Sequence, residues 1–237
     1  MRTAVRGLGE VLITLGVILL LFVAYTIWWT TFLSHRAAAA EADGLRSSWS
    51  ASPSPTASGS APASSAAPTA AATPAPEPTP AIGDAFALMT IPRLGNNMKS
   101  TPVLQGVSLT ELAKGVGHYP DSAMPGQTGN FAVAAHRITY GEPLRHIDEL
   151  QAGDNVYVET AAGWYTYRLF KTQLVLPDEV WTVAPKPFPD DPSFPTKLVT
   201  LTTCDPEYGN SHRWIWWGEL VAAQAKPGPA PQLKVSG

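Results

Sequence analysis

The 237-residue chain carries 16 Lys and Arg against 19 Asp and Glu, a formal charge of −3, and a single cysteine. That balance offers no basic face for a nucleic acid. One cysteine excludes an intramolecular disulfide and leaves a thiol with no partner in its own chain.

From Val11 to Trp29 the sequence runs nineteen residues without a charge. As a helix this stretch spans about 28 Å, close to the hydrocarbon thickness of a bilayer. Arg2 and Arg6 precede it, Glu10 stands at its edge, and the nearest basic residue beyond is Arg36. The bias predicts a cytoplasmic N-terminus and a C-terminal bulk outside the cell membrane. Tyr25, Trp28 and Trp29 stand at the outer end, where interfacial aromatics anchor a span. A cleaved signal peptide is the rival reading, with Ala37 to Ala40 as peptidase-sized residues, but its apolar core is usually only about 7–15 residues long. Residues 1–36 are therefore read as cytoplasmic N-terminus and single-pass anchor.

Residues 37–84 read as a linker. Between Ser47 and Pro80 the composition is Ser, Ala, Pro and Thr with little beyond Trp49 and Glu77 to interrupt it. Such a stretch cannot bury enough apolar surface to offset the entropy of ordering and is expected to be disordered. It would reach about 30 Å as a coil and about 100 Å as extended polyproline II, which suits a stalk.

From residue 85 to 225 the pattern turns globular, with 10 Lys and Arg against 14 Asp and Glu, or −4. About 140 residues suffice for one well-buried core. Phe86–Ile91, Pro102–Gln105, Asn130–Ala135, Asn155–Thr160, Tyr165–Leu176, Lys197–Thr202 and Trp214–Ala222 combine β-branched and aromatic residues between Gly, Pro, Asn and Asp breaks. Short helices are expected at Leu109–Lys114 and Leu144–Leu150. Seven or eight short strands with few helices predict a mainly β domain, an antiparallel barrel or sandwich. Phe188–Pro195 reads as a loop, and residues 226–237 as a frayed C-terminal tail.

Cys204 ends the apolar run Leu198-Val199-Thr200-Leu201-Thr202-Thr203. A cysteine leaving a core strand is held rigidly while its sulfur faces a groove; the position suits a nucleophile and also an ordinary packed thiol. A nucleophile needs a nearby proton acceptor or cation. Arg213 lies nine residues on, across the polar turn Asp205–His212. A hairpin would make it a neighbour of Cys204, where a guanidinium donates to a developing oxyanion. A surface ion pair with Asp205 or Glu207 is the plainer alternative.

His136 follows Phe131-Ala132-Val133-Ala134-Ala135 and also sits at a strand exit. With a strand-end cysteine in the same domain, its imidazole suits acid–base work near neutral pH. His118 and His146 lie in loop or helix contexts, His35 is juxtamembrane, and His212 points away from the Arg213 face if extended. One Cys and scattered His give no zinc spacing. Asp190-Asp191 and Asp178-Glu179 read better as solvated loops than as calcium ligands. No metal and no cofactor are expected.

These motifs resemble those of the sortase family. Thr200-Leu201-Thr202-Thr203-Cys204 resembles the TLxTC signature, Ala135-His136-Arg137 resembles the sortase His segment, and Arg213 falls where sortases carry their arginine. The resemblance covers roughly Phe86 to Ala223 and implies an eight-stranded β-barrel with short helices. It also implies cleavage of a C-terminal sorting signal between Thr and Gly, through a thioester on Cys204 that a cell-wall precursor amine resolves. In that scheme His136 is general acid and base, Arg213 stabilises the oxyanion, and Thr203 helps position the scissile segment. Surface proteins bearing the signal and the peptidoglycan precursor are the implied partners. Gly117-His118-Tyr119-Pro120, Ala123-Met124-Pro125-Gly126 and Gly129-Asn130-Phe131 resemble class E, whose members favour LAxTG over LPxTG. Tyr119 matches the tyrosine implicated in that preference; as a bare residue it reads equally as a groove-wall aromatic.

Asp205 departs from the pattern, since many relatives carry His there, and it would place negative charge beside a thiolate. A pilin-polymerising class C sortase would add a lid and a C-terminal membrane helix, neither of which is evident. An L,D-transpeptidase would show Ser-His-Gly-Cys-x-Arg, unlike Thr-Thr-Cys-Asp-Pro. A catalytically inactive sortase-like binding module is the alternative of a different class; the intact His, Cys and Arg speak against it.

Overall fold

The computed structural model describes residues 2–51 and 73–235. Eight strands close into one barrel: β1 (Ala85–Thr90), β2 (Thr101–Gln105), β3 (Val116–His118), β4 (Gly129–Ala134), β5 (Asn155–Glu159), β6 (Gly163–Val175), β7 (Lys197–Asp205) and β8 (His212–Ala225). Around the wall they run β1-β2-β3-β4-β7-β8-β6-β5, and β5 closes on β1. Pairings are antiparallel except β2 with β3 and β4 with β7, which are parallel. Closure leaves no strand edge open to another chain.

Strand alternation sorts the side chains. Val199, Leu201, Phe131, Val133 and Trp216 point into the main core. Leu198, Ile215 and Trp217 point outward and are roofed by Trp181, Phe188 and Phe194 from the β6–β7 connection. That roof covers only one end of β7 and β8, and the other end stays open.

Within the barrel two expectations are corrected. Leu144–Leu150 is not a helix beyond a single 3-10 turn at Ile147–Glu149, because Leu144, Ile147 and Leu150 are drawn into the core from irregular backbone. His118 ends β3 rather than lying in a loop. Its ring is buried, contacts Gln105 Oε1 at 2.6 Å and Ser122 Oγ at 2.8 Å, and is pushed down to a pKa of about 4 by burial. The other expected helix is α2 (Leu109–Leu112), started by a capping box between Ser108 and Glu111.

One helix, α1 (Arg2–Ala51), precedes the barrel, and Arg6–Tyr25 within it is long and apolar enough to cross a membrane, with a mean hydropathy of 2.4. Beyond the apolar run the Ala-rich stretch, interspersed with Glu41, Leu45 and Arg46, continues as helix because those residue types lose little entropy there. Residue 36 thus marks the end of the apolar run and not of the helix. Ser34 and Ala42 are buried where this second half lies along β1 and β2. Most of the Ser/Ala/Pro-rich stretch, residues 52–72, lies outside the described residues. Past it, Pro74 is buried against Gly163 and the Glu77 carboxylate accepts the Ala162 N–H. The tail is not frayed up to residue 235: the Tyr157 hydroxyl donates to Gln232 O and accepts the Lys234 N–H, each at 3.1 Å.

Candidate active site

The site forms on three adjacent strands at the open end of the wall. In the β4–β7 ladder Asn130 faces Leu198, Ala132 faces Thr200 and Ala134 faces Thr202. The pairing continues past the strand, with Ala135 N–H donating to Thr202 O at 3.1 Å. Two residues beyond Ala134 and Thr202 come His136, just past the end of β4, and Cys204 on β7, so the ladder brings both to the same end of neighbouring strands. On the other flank β7 and β8 form the expected hairpin, and Cys204 pairs directly with Arg213.

Parity fixes the faces. Leu198 and Trp217 point outward, so Cys204 and Arg213 do as well, being even and odd members of those same strands. His136 shares the face of Ala132 and Ala134. Tyr119, whose N–H donates to Ala132 O at 3.0 Å, leaves β3 on this face too. The outer surface therefore gathers Tyr119, His136, Thr202, Cys204 and Arg213.

Cys204 is half-buried and free. His136 is half-buried, its Nε2 is enclosed without a hydrogen-bond partner, and burial alone pushes its pKa down. Burial thus favours the neutral imidazole over the imidazolium. Tyr140 lies against it with ring centroids 5.2 Å apart. That tyrosine is carried by a tight loop in which Thr139, Tyr140, Gly141 and Glu142 all have positive φ. Three non-glycine residues in that region are strained, and strain of this kind persists where the surroundings over-determine it. Glu142 helps to hold the loop, its N–H donating to Thr139 O and its Oε1 accepting the Thr139 N–H.

Arg213 donates through Nη1 to Asn210 O at 3.1 Å and His212 O at 2.9 Å. Its remaining guanidinium N–H groups make no hydrogen bond to the described residues, and it lies close enough to Tyr119 to draw the phenol pKa down against the larger upward push of burial. The ion pair considered for Arg213 does not form, because Asp205 pairs with Arg137 and Glu207 with Arg145. The charge of Asp205 also stands on the wall's opposite face from the sulfur.

Thr203 has the opposite parity from Cys204. It is 3% exposed, and its hydroxyl donates to Ala135 O at 2.7 Å, stitching β7 to the residue before His136. Thr202 is the threonine on the outer face, near Tyr119 but with Oγ1 making no hydrogen bond of ordinary geometry. Counting back two from Cys204 in a strand would have singled it out. Thr203→Val keeps the volume and removes the stitch, so stability should fall by about 1 kcal/mol, a Tm lower by about 3 °C. A thermal melt of the detergent-solubilised chain that is unchanged would remove that role. No cluster of three or more metal-ligating side chains occurs among the described residues.

The closed eight-stranded barrel thus carries a lone thiol, an imidazole and a guanidinium at one end of its wall. Residues 89–221 match the Sortase domain, and the chain belongs to the sortase family. It is 35% identical to Sortase SrtE1 of Streptomyces coelicolor over 98% of this chain and 62% of that protein, so it spans about three fifths of that relative's length. It is 33% identical to Sortase SrtE2 of the same organism, over 95% of this chain and 85% of that protein. Among solved structures, sortase E from Streptomyces avermitilis is 38% identical, with 65% of this chain and 98% of that one covered at a TM-score of 0.57. Sortase E1 from Streptomyces coelicolor, solved with a tripeptide in its active site, is 33% identical over 63% of this chain and 95% of that one, at a TM-score of 0.58. These relatives support the class E resemblance.

Proposed function

We propose that the chain cleaves an LAxTG- or LPxTG-type sorting signal between Thr and Gly and transfers the Thr carbonyl to a cell-wall amine. The observation that supports this reading is the direct pairing of Cys204 with Arg213, with His136 leaving the adjacent β4 at the same end of the wall. His136 accepts the Cys204 proton, and the thiolate attacks the Thr carbonyl carbon. The carbonyl oxygen gains negative charge, which Arg213 stabilises through N–H groups not engaged by the turn. The C–N bond to Gly then breaks, the imidazolium protonates the departing amine, and a thioester remains on Cys204. An acceptor amine attacks the thioester, loses its proton to His136, and leaves as a new amide while the thiolate is restored. In this reading Tyr119 contacts the Ala position of the signal and favours Ala there. Thr203 acts through the Ala135 carbonyl, positioning His136, rather than on the substrate.

The same reading places the N-terminus in the cytoplasm, α1 across the membrane, and the barrel outside, where secreted surface proteins and peptidoglycan precursors meet it. Mass spectrometry of the detergent-solubilised chain with LAxTG and LPxTG peptides plus a diamine tests it. A thioester adduct on Cys204, a diamine-capped product and faster turnover of LAxTG are expected. Absence of both adduct and product would overturn the function, and faster LPxTG turnover would remove the Tyr119 assignment.

A further inference from the structure

Behind the outer face, on the barrel side of the same three strands, stands a second constellation. Arg137, the residue after His136, is 7% exposed and forms an ion pair with Asp205, the residue after Cys204. Its Nη1 also approaches Cys204 O at 3.5 Å, and its Nη2 reaches Asp148 Oδ1 at 3.4 Å. The guanidinium carbon lies 5.2 Å from the Trp214 ring centroid, and Trp214 follows the third member of the trio, Arg213, in the hairpin. Each outer residue is thus backed by a neighbour in sequence, and one guanidinium touches two of those neighbours, Asp205 and Trp214.

We infer that Arg137 is a positioning residue that cancels the charge of Asp205 and holds the backbone of Cys204 in line with His136. The inference rests on the catalytic roles proposed for that pair. An unpaired carboxylate one residue from the sulfur disfavours the thiolate, and an unpaired guanidinium in the same place favours it. The other charged or titratable groups facing this region are Tyr119 beyond β3, His136 beyond β4, Asp148 on the 3-10 turn, Arg145 paired with Glu142 and with Glu207 of the β7–β8 turn, and His212 and Arg213 on β8. None of them lies between Arg137 and Asp205, whose side chains are in direct contact.

Because Cys204 is the single cysteine of the chain, its alkylation by iodoacetamide reads one site. The pH profile of that alkylation, measured on the full chain in detergent, separates charge from structure. Arg137→Met leaves Asp205 uncompensated, and the profile should move up by at least about half a pH unit. Asp205→Asn leaves Arg137 only the longer contact to the more exposed Asp148, and the profile should move down by a similar amount. Arg137→Lys keeps the charge and should hold the midpoint near that of the starting chain. Its kcat should still fall several-fold with KM little changed, because a point charge cannot reproduce the fork. A purely structural role would shift both charge-removing variants the same way or neither, and either result overturns the inference. Should Arg137→Met fail to fold, Asp205→Asn and Arg137→Lys decide it alone, since an unmoved Asp205→Asn profile overturns it. If the unsubstituted chain transfers no peptide, or Cys204→Ala still does, the proposed function fails instead.

Discussion

Replacing Cys204 with Ala is expected to abolish transfer, lowering turnover of an LAxTG peptide by at least about a thousandfold and removing the thioester adduct altogether. The size of the effect follows from chemistry with no substitute nearby. Cys204 is the sole cysteine of the chain. The other hydroxyls on its strand face are Thr202, set back toward Tyr119, and Thr200, which donates to Asn130 Oδ1, so neither takes the place of the sulfur. The fold should survive, because the sulfur is only half-buried and the change removes one atom from the outer face. Peptide turnover followed by chromatography, with circular dichroism as the check on folding, measures both. Unchanged turnover would end the nucleophile assignment.

Arg213→Lys should reduce kcat by about a hundredfold or more although it conserves the charge. The guanidinium is anchored by one nitrogen to the Asn210 and His212 carbonyls, which leaves its other N–H groups aimed from a fixed plane. A lysine ammonium that satisfied the same two carbonyls would have a single N–H left and no plane to direct it. Loss confined to kcat is the signature of a donor used as charge develops, whereas a rise in KM alone would mark a ground-state contact with peptide. Near-normal kinetics would move the oxyanion role to another donor.

Much of the barrel was legible because period-two alternation survives in long strands. β6 and β8 declare themselves through runs such as Gly163–Val175 and His212–Ala225, rich in aromatics and bounded by turns. β3 escaped notice since three residues, Val-Gly-His, carry too short a pattern and a glycine at the centre. Gly117 is there because a side chain would strike the Gly106 carbonyl and Leu112, a crowding that only the folded chain reveals. Leu144–Leu150 shows the opposite error: its apolar spacing fits a helix, and burial of Leu144, Ile147 and Leu150 around one short turn satisfies the same spacing.

Within the site, strand-end positions made Cys204, His136 and Arg213 visible, and the register of β4, β7 and β8 supplies the alignment that position alone lacked. Thr203 attracted attention by adjacency to the nucleophile, yet in a strand adjacency means the opposite face. Arg137 and Asp205 were visible only as an ordinary basic residue and an unexpected acid, because their contact joins positions 68 residues apart in sequence. The helix continuing to Ala51 was masked by the change in composition at the end of the apolar run.

The two-sided wall also limits how this chain can lengthen. One residue inserted between Leu201 and Cys204 would rotate the thiol to the inner side, among Trp214 and Arg137, and present the Thr203 hydroxyl or its replacement to the outside. Two inserted residues would restore the face but carry the sulfur about 7 Å past His136, beyond proton-transfer reach. Insertions are better tolerated in the exposed residues 189–193, between Phe188 and Phe194 of the roof. Along the three residues before Cys204, the proposed reaction makes chain length as strict a requirement as residue identity.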